Sequence, residues 1–178
     1  MQLHREPKSR NLCKRKVEMY DRTKRFPYSE RAARLTIAGL SFVGIADALY
    51  MLAYDEGLID SLICPFFGQG CNIVGRSAHA KHFGVPNAAV GALGYAAMAS
   101  LAIWSGEKLS TQRPIQSLGL SAISLGAFVA SVFLTWEQAA KVKAWCFWCL
   151  LSAGLNLLIL PLALLEGWRS ARSFLRGL

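Results

Sequence analysis

Four long apolar runs dominate the sequence of this 178-residue chain. They are LTIAGLSFVGIADALYMLAY at 35–54, VPNAAVGALGYAAMASLAIW at 85–104, IQSLGLSAISLGAFVASVFLTW at 115–136 and AWCFWCLLSAGLNLLILPLALL at 144–165. A helix needs roughly 20 apolar residues to cross the hydrocarbon core of a bilayer. Backbone polar groups in lipid must be satisfied internally, which helices achieve. With 53% hydrophobic residues overall, we predict an all-α polytopic membrane protein, a bundle of four transmembrane helices.

The basic residues are distributed unevenly around these runs. Sixteen of the 20 Lys and Arg residues lie before the first run, between the second and third, or after the fourth. The other four are Arg76, Lys81, Lys141 and Lys143. Basic residues beside helix ends mark the cytoplasmic side of a membrane. The net charge of +9 therefore indicates orientation rather than nucleic-acid binding, and we predict that both termini are cytoplasmic.

This orientation divides the chain into three parts. Residues 1–34 form a basic cytoplasmic N-terminal tail, residues 35–166 the membrane domain, and residues 167–178 a basic cytoplasmic C-terminal tail. The long segment 55–84 and the short connection 137–143 then lie on the outer side. Loops of about 30 residues are uncommon in compact domains unless they have a function, so we expect 55–84 to cap the outer ends of the helices.

Four of the five cysteines fall on the predicted outer side, where disulfides persist. Cys146 and Cys149 have CxxC spacing at the opening turn of the fourth helix, where unpaired backbone N–H groups favour a thiolate. Zinc sites use the same spacing. The pair is therefore either redox-active or metal-binding. The fifth cysteine, Cys13, is predicted to be an incidental reduced thiol.

The other outer pair, Cys64 and Cys71, is separated by six residues that include Pro65, Gly68 and Gly70. Such spacing closes a small flexible disulfide loop. The loop is either a structural staple or a shuttle that exchanges disulfides with an outside protein and with the CxxC pair, because exchange requires only contact between sulfurs.

The electron acceptor is the next question. Phe147 and Trp148, between the CxxC cysteines, are either interfacial anchors or the walls of a pocket for a flat ring. The sequence contains no haem, flavin or iron–sulfur motif. A lipid-soluble quinone accepts two electrons and two protons, so we predict thiol oxidation outside coupled to quinone reduction in the membrane.

Three motifs in this order, CPFFGQGC, VGRSAHAKHFGVPNAAVGALGY and WCFWCLLSAGLN, resemble the vitamin K epoxide reductase family over roughly residues 34–166. The resemblance is greatest to bacterial homologues that drive disulfide formation. It implies a four-helix bundle around a quinone (ubiquinone or menaquinone) in a bacterial inner membrane, with the active site facing the periplasm. Electrons would pass from a thioredoxin-fold protein to Cys64 and Cys71, then to Cys146 and Cys149, then to the quinone. Since the chain ends at Leu178, we expect that periplasmic partner to be a separate protein.

The resemblance also implies roles for single residues. Cys149 would face the quinone ring and Cys146 would exchange with a loop cysteine, while Ser77 matches the family's loop Ser or Thr near the site. Animal members have a Tyr where this chain has Ala153, which weakens any claim to epoxide reduction. The predicted quinone-contacting residues are Cys149, Asn87, Phe147, Trp148 and Asn156.

Other functions stay open at the level of sequence. A metal-binding or transport membrane protein would use the same cysteines, with His79 and His82 as further ligands. The histidines otherwise belong to a solvated loop face. A structural membrane protein with two inert disulfides is a third class. Asp47, within the first apolar run, either supplies protons to the quinone or hydrogen-bonds across the bundle.

Overall fold

The computed structural model describes residues 8–82, 84–104 and 114–176 of the chain. Its long helices are α1 (Lys8–Asp55), α3 (Asn87–Trp104), α4 (Pro114–Glu137) and α5 (Phe147–Arg176). Within them lie four stretches long and apolar enough to cross a membrane: Glu30–Asp55, Asn87–Trp104, Pro114–Val142 and Phe147–Ser173. The prediction of an all-α, multi-pass bundle is confirmed. Cys13 lies outside the residues whose side chains are described.

Helix α4 extends past its apolar run into residues that include two buried polar side chains. A π-helical turn, Gln138–Val142, prolongs α4 through most of the expected 137–143 connection, and it ends at Lys143 with φ 55°. Glu137 and Gln138 are both buried there. The third apolar run ends at residue 136, and the sequence does not indicate that the polar residues after it have partners. The predicted end of the third spanning helix therefore lies before its observed end at Val142.

The centre of the bundle is an apolar core shared by all four long helices. It contains Ile37 of α1, Tyr95 and Met98 of α3, Leu120 of α4 and Ile159 of α5. The helices pack chiefly as α1 on α3 and α4 on α5. A Cβ atom at position 44 of α1 would lie 2.5 Å from the Tyr95 ring, so Gly44 lets α3 approach.

Ion pairs join α1 to α5 at one end of the bundle, here called the far end. Arg34 Nε lies 3.1 Å from Glu166 Oε2, and both side chains are almost completely buried. A second ion pair lies beside this one, with Arg169 Nη1 3.5 Å from Glu30 Oε1. Removing one partner of a buried ion pair is strongly destabilising, since the other charge is left buried and unpaired. The bundle thus includes Glu30 and Arg34, which lie within the predicted N-terminal tail.

Residues 56–86, here called the lid, cover the other end. The lid contains the short helix α2 (Gly70–Arg76), a 3-10 turn (Ala78–Ala80) and a small antiparallel hairpin. In the hairpin, β1 (Lys81–His82) pairs with β2 (Val85–Pro86) around Gly84, whose φ is 80°. Beneath the lid lies a second apolar cluster, built from Met51, Tyr54, Leu62, Cys71, Val74 and Cys146. This cluster positions the cysteines.

Candidate active site

The lid contains one of the predicted cysteine pairs as a disulfide. Cys64 and Cys71 are bonded, with their Cα atoms 5.7 Å apart. Asn72 fixes the base of this loop: its Oδ1 accepts the N–H of Leu62 at 2.8 Å, and its Nδ2 donates to Gln69 Oε1 at 3.0 Å. Cys71 is fully buried, whereas Cys64 is partly exposed. The two sulfurs of the loop therefore face different surroundings.

The second pair opens α5 as two free thiols, with Cys146 buried and Cys149 partly buried. The backbone N–H of Cys146 donates to Gln138 Oε1 at 2.9 Å, and its carbonyl accepts the first helical bond, from Leu150. The hydrogen bond from the Cys149 thiol lowers the pKa of Cys146, with help from the backbone N–H groups of Cys149 and Trp148 and against the effect of burial. The lowered pKa favours the thiolate form of Cys146, as at other cysteines beside a helix N-terminus.

The two pairs meet because the chain passes very close to itself. The backbone at Gly70 contacts that at Trp145, and a Cβ at position 70 would overlap the Trp145 carbonyl oxygen. In each of these two segments the next residue is a cysteine: Cys71 follows Gly70, and Cys146 follows Trp145. Both are completely buried in the cluster beneath the lid, and Cys64 and Cys149 pack against it.

Aromatic side chains attach the lid to the start of α5. The indole Nε1 of Trp148 donates to the carbonyl of Ile63 at 2.8 Å, and the N–H of Ile63 donates to the hydroxyl of Tyr50 at 3.0 Å. The rings of Tyr50 and Trp148 meet edge-on at 4.9 Å. Phe147 packs against Phe66 of the lid, with ring centroids 5.5 Å apart. These contacts attach the lid segment on either side of Cys64 to the start of α5 and to α1.

A cavity of about 670 Å³ extends from the lid into the bundle. Ligand sites in proteins are typically cavities of about 300–1,000 Å³ with mostly apolar walls and a few polar groups. This cavity has that character, because α1, α3, α4 and α5 line it mainly with apolar atoms. The predicted residues in its wall are Ser77, Asn87, Trp148, Cys149 and Asn156; Phe147 lies outside the wall. The volume and apolar walls beside Cys149 are those expected of a site for a hydrophobic ligand.

The two asparagines in the wall are engaged differently. Asn87 Nδ2 donates to the carbonyl of His79 at 2.8 Å, and Asn87 Oδ1 lies 2.9 Å from His82 Nδ1. Asn156 Nδ2 donates to Ser131 Oγ at 2.8 Å, while its buried Oδ1 has no hydrogen-bond partner within the described ranges. Asn87 therefore ties the lid to α3, whereas Asn156 keeps a free acceptor at the cavity.

Ser77 ends α2. Its hydroxyl donates to the carbonyl of Val74 at 2.7 Å, and its backbone N–H donates to the same oxygen at 3.1 Å. The side chain lies in the cavity wall beside His79. Its observed contact is thus a helix cap, and its predicted role at the site stays a prediction.

The histidines of the lid close over a buried carboxylate. His79 Nδ1 and His82 Nε2 each lie 3.2 Å from one oxygen of Glu137, and Lys141 Nζ lies 2.9 Å from Oε1. Both histidines therefore contact Glu137 while about a third of each side chain, 36% for His79 and 34% for His82, stays exposed. In the part of the chain that the structure describes, no group of three or more His, Cys, Asp or Glu side chains has a metal-binding arrangement. We call Glu137 with these two histidines the latch.

The prediction from sequence overlooked several residues of the site. Glu137 and Gln138 follow the third apolar run directly, and polar side chains at the end of a spanning segment were the available signal. Tyr95 and Ser152 lie in the cavity wall, with the Tyr95 hydroxyl 2.9 Å from both the carbonyl and Oγ of Ser152. Nothing in the uniformly apolar α3 pattern indicates that Tyr95 faces inward.

Comparison with known proteins agrees with this geometry. The model of the family described as "Vitamin K epoxide reductase family" matches residues 35–164, which include the lid, both cysteine pairs and the four apolar runs. The chain belongs to the vitamin K epoxide reductase family. No curated protein matches it in sequence. Vitamin K epoxide reductase family members are oxidoreductases that act on thiols and quinones, and this chain is accordingly a membrane oxidoreductase of quinone-linked disulfide chemistry.

Proposed function

We propose that this protein is a thiol oxidase that passes electrons from a separate periplasmic thioredoxin-fold protein to ubiquinone or menaquinone. The route runs through Cys64 and Cys71 and then through Cys146 and Cys149. Its product would be disulfides in exported proteins. The observation that carries the proposal is the meeting of a lid disulfide and a CxxC dithiol in one buried cluster, at the edge of an apolar cavity.

The burial of the sulfurs supports an order for the exchange steps. Because Cys64 is the more exposed lid cysteine, a thiolate of the partner attacks Cys64, and Cys71 leaves as a thiolate. The second thiol of the partner then resolves the mixed disulfide, so the partner is oxidised and the lid pair reduced. Cys71 next attacks Cys146 of an oxidised CxxC pair, and Cys64 displaces Cys146. The lid disulfide is restored, and Cys146 and Cys149 are left as thiols.

The last step takes place at the cavity. A bound quinone accepts two electrons and two protons and becomes a quinol. The Sγ atoms of Cys146 and Cys149 form their disulfide as these electrons and two thiol protons leave. The lowered pKa of Cys146 supports this step, because a thiolate loses electrons to an oxidant more readily than a thiol does. The lid and its latch exclude water from the cavity, and the predicted contacts Asn156 and Trp148 orient the ring.

The charge distribution supports the placement in the cell. We infer a bacterial inner membrane, cytoplasmic tails at 1–34 and 167–178 around the membrane domain 35–166, and a lid facing the periplasm. Basic segments flank the far end of the bundle, where positive residues mark the cytoplasmic side. Ser77, Asn87 and Phe147 belong to the proposed site as the residues that shape the lid and its contact with the helices.

Anaerobic addition of a short-chain ubiquinone or menaquinone to the fully reduced protein in mild detergent tests the proposal. We expect thiols to disappear in pairs, with one quinol formed for each pair. Cys149→Ala should abolish quinol formation, whereas Cys13→Ser, which changes a cysteine of the proposed cytoplasmic tail, should react like the wild type. Quinol formation at the wild-type rate by Cys149→Ala would contradict the proposal, and stoichiometric zinc or copper in the purified protein would favour metal binding.

A further inference from the structure

Asp47 is a carboxylic acid buried in the wall of the cavity. It lies on α1, is only 5% exposed, and lines the same space as Cys149. Its Oδ1 has no hydrogen-bond partner among the residues that the structure describes. A buried polar group without a partner destabilises a fold. An ionisable side chain within a membrane segment indicates function by default, so a purely structural Asp47 would be expected to have a partner.

Two further acids line the cavity, Asp55, which is only partly buried, and Glu137, and the Tyr95 hydroxyl lies in the same wall. The Tyr95 hydroxyl lies 2.9 Å from two oxygen atoms of Ser152. Both oxygens of Glu137 face the histidines of the latch. Asp47 is thus the deeply buried acid of the cavity whose carboxyl group is free to meet a bound molecule.

We propose that Asp47 delivers one of the two protons that the quinone takes up, an inference that rests on the proposed function. The carboxyl group donates its proton to one quinone oxygen and receives in return the proton that the Cys149 thiol gives up. The other quinone oxygen takes a proton equivalent to the one that Cys146 releases. Two electrons leave the two sulfurs, the Cys146–Cys149 disulfide forms, and quinone becomes quinol. Asp47 ends each turnover protonated, as it began.

The variants that test this role differ in whether position 47 has an acid. Asp47→Asn keeps the size and polarity of the side chain but removes the acid, and Asp47→Glu restores it. Glu166→Gln, compared per folded molecule, is the matched control, because Glu166 is also a buried carboxyl group of the bundle but pairs with Arg34 at the far end. If Asp47→Asn does not fold, Asp47→Ser replaces it, since this smaller neutral side chain also lacks the acid.

Infrared difference spectra provide a readout that does not depend on turnover. Spectra of the dithiol protein are compared without and with a short-chain ubiquinone that has been reduced beforehand, so that no reaction occurs. A carboxylic acid band should change on binding in the wild type and in Glu166→Gln, change at a shifted position in Asp47→Glu, and be missing in Asp47→Asn. A band that persists in Asp47→Asn would overturn the inference.

Single-turnover oxidation of Cys146 and Cys149 by ubiquinone provides the second readout. Loss of general acid catalysis typically costs about 10²–10⁴ in rate, so Asp47→Asn should lose at least about tenfold and Asp47→Glu should recover part of that loss. Quinol binding, followed by Trp fluorescence, should stay close to wild type. A smaller loss in Asp47→Asn would overturn the role of Asp47 while leaving the proposed function intact. Failure of the wild type to reduce the quinone would instead refute the proposed function.

Discussion

Gly70 is the position at which a single methyl group should separate the two cysteine pairs. An added Cβ would overlap the carbonyl oxygen of Trp145 and lie 3.3 Å from the Cβ of Phe67. The carbonyl cannot easily retreat, since the next residue, Cys146, is tied by its N–H to Gln138. In Gly70→Ala, the lid must therefore move away from the start of α5, and Cys71 moves with it.

The size of the effect follows from the cost of overpacking. Inserting a methyl group into a close-packed contact costs about 1–3 kcal/mol. Because 1.36 kcal/mol corresponds to about a tenfold change, the seated lid becomes about 5- to 150-fold less populated relative to the displaced lid. Exchange between the lid pair and the CxxC pair requires the seated lid, so it should slow by as much as this factor where the displaced lid becomes the more populated state.

The assay starts from fully reduced protein, mixed without oxygen with excess ubiquinone and sampled by rapid alkylation and mass spectrometry. In the wild type, Cys146 and Cys149 disappear first, and the lid thiols follow by exchange. Gly70→Ala should keep the first phase and slow the second, by up to about 150-fold. Gly154→Ala is the matched control, because a Cβ there meets nothing within 4 Å. Two phases at wild-type rates in Gly70→Ala would refute the argument.

Three further predictions concern the pKa of Cys146, the latch and the far end of the bundle. The hydrogen bond from Cys149 is the main cause of the lowered pKa of Cys146. Cys149→Ala should therefore raise the pH midpoint of Cys146 alkylation, and an unchanged or lower midpoint would be inconsistent with this cause. Glu137→Gln removes a negative charge that contacts two lid histidines. The lid should lose about 1.5–3 kcal/mol of stabilisation, so amide hydrogen exchange in β1 and β2 should become about tenfold faster or more. Equal protection from exchange in both proteins would show that the latch does not hold the lid. Glu166→Gln removes the carboxylate that pairs with the buried guanidinium of Arg34. It should destabilise the protein by about 3–5 kcal/mol in detergent unfolding, without changing quinone reduction per folded molecule; an unaltered unfolding midpoint would argue against this pair.

The membrane helices were predictable because long apolar runs are a signal along the chain itself. The ends of these helices were harder to predict, because each end depends on side-chain partners that are distant in the sequence. Glu137 is buried because the lid histidines reach it, and Arg34 is buried because Glu166 meets it. Neither pairing has a local pattern. The sequence alone would place a charged residue at such a position in solvent.

The candidate site was likewise predictable where the sequence pattern is local and not where it depends on distant contacts. The spacing and predicted side of the cysteines identified both pairs, and the disulfide between Cys64 and Cys71 was among the possibilities. The contact that brings Cys71 beside Cys146 is possible because glycine has no side chain at position 70. In the sequence, Gly70 indicates only a flexible loop. Asn87 was predicted from resemblance to contact the quinone, but both ends of its amide bond the lid. Its role toward a quinone stays a prediction.

Trapping a bond between the two pairs tests the central claim most directly. In a Cys64→Ser, Cys149→Ser double variant, only Cys71 and Cys146 are left at the site, and mild oxidation should join them within one molecule. Peptide mapping without reduction is predicted to recover Cys71 linked to Cys146 in most of the protein, with far less of the linked product when Gly70→Ala is added. Recovery of both cysteines as free thiols, or linked only between separate molecules, would contradict a route that hands a disulfide from the lid to α5.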